Sequence, residues 1–189
     1  MKVKSEALLS ELVQKTQESI NFVETLKTKS DHELNWRSSA TSWSILECLE
    51  HLNLYGDFYL PEIDSVIQKA NSKSEPVFKS GFLGNYFAST MLPKEKLNKM
   101  KTFKDKNPLN CNLSRNTIDR YIKQQKKMAD LLHQARNISL NKEKTKISIT
   151  KWIRLKIGDT FRFVINHNLR HLNQIEKIMN LQLQTKTSV

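Results

Sequence analysis

Glycine and proline are scarce in this chain, at four residues each, and cysteine is scarcer, at two. So little turn chemistry argues against a fold built from many tight turns. Two cysteines cannot make a disulfide framework. Cys48, set among apolar residues, is expected to be a buried free thiol in a reducing cytoplasm. No apolar run approaches the ~20 residues needed to cross a bilayer, so no membrane partner is expected. The amino-terminal stretch MKVKSEALLSELVQKTQESI has no long apolar core and no small-residue cleavage site. It reads as mature structure and not as a signal peptide. Acidic residues are in the minority, 19 against 31 basic, for a formal charge of +12. That balance raises the question of nucleic acid. The lysines are scattered, however, and the densest stretch, Lys94 to Lys106, interleaves apolar and acidic residues like a solvated helix face or loop. With no basic–aromatic repeat and no zinc-finger spacing, nucleic acid is not the expected partner.

What the chain does have is helical periodicity. Its 189 residues suit one domain, 1–189, with one substantial core. From Ser5 to about Lys29, apolar residues recur at steps of three, four and seven, with Ser5 in the N-cap position. A second helix opens at TSWSILECLEHL, with Thr41 or Ser42 as its cap, and Pro61 is expected to bend it near Tyr59. The signals weaken between Asn71 and Asn112, where Gly81, Gly84 and several aromatics stand and where Leu92–Phe103 suggests a short helix. This segment reads as an irregular crossover, a candidate lid that would set the substrate. A third helix follows Ser114 as cap. The run KISI alternates like a strand but is too short and isolated to imply a sheet. The last helix is expected from Gly158–Asp159, with Asp159 as N-cap, to about Leu181. The predicted fold class is all-α: a four-helix bundle with a long irregular crossover between the second and third helices.

Five histidines are present, and two of them, His167 and His171, stand four apart on the last helix. That spacing places both imidazoles on one face within ~6 Å, able to reach one ion. The pair alone is equally at home as two polar residues on an ordinary helix. His51, in the middle of the second helix between Leu49 and Leu52, is a third candidate. Three neutral imidazoles around one ion leave a position open for water or substrate, the pattern of a catalytic site.

The segments WSILECLEHL and HNLRHLNQI carry a resemblance. In their order and separation they resemble the DinB-like (DinB/YfiT-like) superfamily of metal-dependent enzymes, whose members carry W-S-x6-H-L and, late in the chain, H-x3-H-x2-Q-I. Here these fall on Trp43, Ser44, His51 and Leu52, then His167, His171, Gln174 and Ile175. The resemblance implies a bundle that binds a divalent metal, zinc or nickel, through His51, His167 and His171. It also implies a homodimer, and a hydrolase or a thiol-dependent transferase of the bacillithiol type acting on a small molecule in the cytoplasm. The rival reading is a non-catalytic helical binding or stress-response module.

Around the triad, Glu47 and Gln174 each stand one turn from a candidate ligand, as possible acceptors for an imidazole N–H or as structural groups. Arg162 and Arg170 could hold an anionic substrate group, and Tyr55 could donate a hydrogen bond, though solvation and core packing suit them as well. His32 and His133 lack matching motifs. No serine or cysteine nucleophile stands beside a suitable base, so no catalytic residue is identified.

Overall fold

The computed structural model describes residues 1–92 and 102–187. Among them the protein is mostly helical, with six α-helices and two two-stranded antiparallel sheets. The short helix expected within Leu92–Phe103, and most of the basic stretch Lys94–Lys106, fall outside the described residues.

Strand β1 (Lys2–Lys4) runs straight into helix α1 (Ser5–Thr25), which buries Leu8, Leu9, Leu12, Ile20 and Val23 along one stripe. The cap expected of Ser5 is not formed: Ser5 is the first helical residue, and no side chain caps α1. Pairing of β1 with β2 (Val77–Lys79) brings the Pro76 carbonyl to the helix start, where it accepts the Ser5 N–H at 2.9 Å. Backbone pairing thus does the work of a cap. A short helix α2 (Asp31–Asn35) leads to α3 (Ile45–Gln68). The cap of α3 is Ser44 and not Thr41 or Ser42, because only Ser44 has a glutamate three residues on to close a capping box, Glu47. Pro61 leaves α3 unbroken. It and Asp57, whose carbonyl loses its helical donor to the proline ring, both lie on the exposed face, where water can satisfy that carbonyl.

The described part of the crossover is more regular than its sequence suggests, holding β2, helix α4 (Phe82–Thr90) and a 3-10 turn at Lys104–Lys106. Gly84 looks like a breaker, yet it sits within α4 where that helix meets the Asp159 side chain. A Cβ there would lie 2.4 Å from Asp159 Cγ. Helix α5 (Asn116–Gln134) also starts without a side-chain cap; Ser114 contributes only its carbonyl, to the Thr117 N–H.

The KISI run is not isolated: Lys146 and Ile147 end a strand, and Ser148 and Ile149 turn the chain into the next one. β3 (Lys144–Ile147) pairs antiparallel with β4 (Thr150–Lys156), burying Thr145, Ile147 and Leu155 on one side. Its partner is the basic segment immediately after, whose lysines and arginine mask the alternation. Helix α6 (Ile157–Thr187) continues directly from β4, so it begins earlier and ends later than expected. Asp159 is consequently inside its first turn and not its cap. Its carboxylate instead accepts the Gly81 N–H at 2.8 Å and bonds Ser80 and Arg162, tying the start of α4 to α6.

Four long helices carry the core: α3 packs on α5 and α6, and α1 packs on the same two. Two apolar clusters lie between them. One surrounds Leu12, Tyr59, Ile63 and Phe161; the other surrounds Leu46, Leu49, Tyr121 and Ile175. The histidines of α3 and α6 sit where these helices face each other.

Candidate metal centre

His51 on α3 and His167 and His171 on α6 converge between the two helices. The Nε2 atoms of His51 and His167 are 3.2 Å apart, and those of His171 and His167 are 3.1 Å apart. Each histidine offers one nitrogen to a group whose ligand atoms all lie within 4.8 Å of one another. All three side chains are withdrawn from solvent, at 4%, 6% and 9% exposure. Local structure explains the pair: a four-residue step on one helix stacks the two imidazoles on one face. The third partner depends on α3 meeting α6.

The outer nitrogens of two rings are occupied. His51 Nδ1 is 2.7 Å from the Lys106 carbonyl, which can only accept, so this nitrogen carries the proton. His171 Nδ1 is 2.9 Å from Gln174 Oε1, with the same consequence. Both Nε2 atoms therefore present lone pairs toward His167. A single N–H on His167 Nε2 cannot satisfy two lone pairs well, whereas a cation between the rings satisfies all three.

Burial drives all three pKa values down. His51 falls to about 4, against a smaller upward pull from its bond to Lys106. His171 falls to about 3, through burial and then the neighbouring His51. His167 lies well below the ordinary range for the same first reason, with both partner rings adding to it. The cluster is thus neutral at physiological pH, the state in which imidazole binds metal.

Aromatic rings wall the cluster. Trp43 packs with its ring centre 4.7 Å from that of His51 and 5.8 Å from that of His171. Tyr55 lies edge-on to His51 and His167, at 5.0 and 4.7 Å. Phe163 stacks on His167 one turn below.

Of the two flanking acceptors read from the sequence, Gln174 touches a histidine and Glu47 does not. Glu47 is almost fully buried, and its oxygens take the Arg37 guanidinium, the Ser44 N–H and the Asn110 N–H. It acts at one remove. Arg37 also donates to Asn110 Oδ1, and Trp43 Nε1 donates to Asn107 Oδ1. These bonds hold segment 107–110 on the start of α3, beside the Lys106 carbonyl that orients His51. That carbonyl is a group sequence reasoning missed, and a backbone acceptor 55 residues away leaves no signal to find.

The remaining candidates lie elsewhere. Arg162 binds Asp159, Ser80 and Asn85, a structural duty at the α4–α6 contact. Arg170 is buried, and its charge lowers the His167 and His171 pKa values. His32 is exposed on α2, and His133 bonds Arg136 at the end of α5. Neither approaches the triad, the one group of three potential ligands found among the described residues. Both cysteines are free, Cys48 buried and Cys111 exposed.

The donor set fits a small divalent ion. Two imidazole nitrogens bound to one tetrahedral ion at about 2.0–2.1 Å stand roughly 3.3 Å apart, close to the 3.2 and 3.1 Å that separate His167 Nε2 from the Nε2 atoms of His51 and His171. The tautomers of His51 and His171 are fixed by acceptors at Nδ1, the usual support for ligating histidines.

A model of the DinB superfamily matches residues 11–175, a span that includes all three histidines. The match covers most of the chain, which therefore belongs to the DinB superfamily. No curated protein and no solved structure matches it.

Proposed function

We propose, with membership of the DinB superfamily as the premise, that this chain is a four-helix bundle in which His51, His167 and His171 hold one divalent metal ion. The ion is zinc or nickel, since imidazole suits both. The protein then works as a metal-dependent hydrolase or as a thiol-dependent transferase of the bacillithiol type, on a small-molecule substrate. Within this reading it is cytoplasmic and homodimeric. The observation that carries the reading is the meeting of three neutral Nε2 atoms, two of them unprotonated because Nδ1 is engaged.

When bound, the ion supplies Lewis-acid polarisation and lowers the pKa of a water or thiol at the position the histidines leave open. The chain's own residues do the rest. The Lys106 carbonyl and Gln174 hold two rings in the ligating orientation. Burial keeps all three imidazoles unprotonated at neutral pH, so no proton competes for the ligand nitrogens. Trp43 and Tyr55 limit water around the rings. Burial pushes the Tyr55 hydroxyl up to about 12, so it keeps its proton and serves as a donor on the wall of the cluster.

Metal analysis after loading with zinc or nickel tests the reading. One equivalent per chain is expected in the wild type, with loss in each of His51→Ala, His167→Ala and His171→Ala. A wild type that retains no stoichiometric metal ends the proposal. Turnover of an activated ester against thiol conjugation of an electrophile, both with loaded protein, then separates the two reaction classes.

A further inference from the structure

Helix α4 and the adjoining β3–β4 hairpin expose apolar and basic groups that the metal centre does not use. Phe82 is 90% exposed and Trp152 is 94% exposed, with Tyr86, Leu83 and Ile149 also open to solvent. The two elements adjoin: α4 packs against β4, and Phe87, one turn on from Leu83, lies with Ile149 and Leu155 around one small cavity. Helix α4 has no charged residue at all. The segment Lys144–Lys156 carries five basic residues and no acidic one.

The strand registers sharpen this. Lys144 stands opposite Lys156, and Lys146 opposite Arg154. In the neighbouring sheet Lys2 stands opposite Lys79, whose carbonyl accepts a bond from Lys156 Nζ. Like charges directly across a ladder are destabilising. Here three such pairs occur along two sheets joined to each other. Of the carboxylates close by, Glu62 accepts the Lys146 N–H, Glu143 accepts the Ser72 hydroxyl, and Glu75, bonded by Ser139 and Asn141, feels the charge of Lys156. The net charge of the segment Lys144–Lys156 is positive, and it lies beside exposed aromatic and aliphatic groups.

We infer that this face is a docking surface for an anionic lipid bilayer. Its chemistry is that of an interfacial binder: aromatic and aliphatic groups enter the headgroup boundary while lysines and arginine meet lipid phosphates. The charge pairing argues against a second copy as occupant, since two such faces would repel. A polynucleotide would satisfy the cations but has no use for the uncharged α4 or for Leu83 and Ile149. The absence of a spanning run gives no warning of such a surface, because its residues come from two short segments that meet only in the fold.

Co-sedimentation of the full chain with vesicles tests the inference, independently of any metal. Binding to phosphatidylcholine–phosphatidylglycerol vesicles and not to phosphatidylcholine alone is expected, with a blue shift of tryptophan emission that Trp152→Phe removes. The pair Phe82→Ser and Trp152→Ser should weaken partitioning by at least about tenfold. Lys146→Glu is the sharper variant. It creates an opposite-charge pair with Arg154, so thermal stability should hold or rise while vesicle binding falls severalfold. Equal binding to both vesicle types, or no binding, overturns the inference. So does a self-association that the same substitutions abolish, or a duplex DNA affinity that survives Phe82→Ser and exceeds that for vesicles.

Discussion

The histidine cluster and the α4–hairpin face reverse the ordinary distribution of side chains in opposite ways. At the cluster, three titratable groups and the carboxylate of Glu47 are buried, each with named partners. On the face, a phenylalanine and a tryptophan stand almost wholly in solvent, over cross-strand pairs of like charge. Burying polar groups costs free energy unless they are satisfied, and exposing large apolar groups forgoes burial. Each region therefore gives up stability that a core or a plain surface would keep. Such departures are expected where a protein binds something. The difference lies in preorganisation: the cluster is held from several sides, whereas nothing among the described residues covers the face.

If the cluster is a metal centre, its loss should be the largest effect available. His171→Ala should remove stoichiometric zinc in equilibrium dialysis, with affinity falling beyond the roughly 10–100-fold typical of an outer partner. Gln174→Ala should fall within that range, since it leaves the ligand but frees its Nδ1. A Gln174→Ala variant with unchanged affinity would mean that this bond does not orient the ring.

The cost of burying the cluster should appear as pH dependence in chelator-treated protein. The folded pKa values of His51 and His171, about 4 and about 3, lie below the ordinary 6.5 of an unfolded histidine. As pH falls below 6.5 the unfolded chain takes up protons first, so stability is full above that value and declines down to the folded pKa. By pH 5 the loss is on the order of 2 kcal/mol per histidine, measurable as a falling denaturation midpoint. A flat profile between pH 7 and 5 would show that the rings are not buried as a neutral group.

Gly84→Ala probes how the two regions are connected through α6. The new Cβ would press on Asp159, which holds the start of α4. A loss of about 1–3 kcal/mol is expected, with metal affinity retained, because α4 bears none of the ligands. Smallest of all, Trp152→Ser should change stability by no more than about 0.5 kcal/mol, despite the size of the side chain, while vesicle binding drops. A large destabilisation would mean that Trp152 packs against something in the native state.

Much of this was legible in the sequence, and the limits are physical. Helical stripes repeat every three or four residues, so α1, α3, α5 and α6 could be read from local spacing. Caps could not be read as well: Ser5 and Ser114 look like caps, but their helices start on backbone partners delivered from elsewhere. The hairpin escaped because its outward positions are lysine, arginine and tryptophan, which blur a strand pattern that pairing makes plain. At the site, His167 and His171 share a helix face by spacing alone, and the family pattern in the residues pointed to His51.

The sequence by itself determined the helical stripes, the i,i+4 histidine pair and the surplus of positive charge, because each is a property of neighbours along the chain. Only the tertiary structure brought His51 to that pair, supplied the Lys106 carbonyl that orients it, gave Glu47 to Arg37 and Asn110, and set α4, with its exposed Phe82, against the like-charged hairpin that carries Trp152. Each of these joins groups far apart in sequence. Such contacts depend on which elements meet and in what register, and periodicity within a single element does not carry that information.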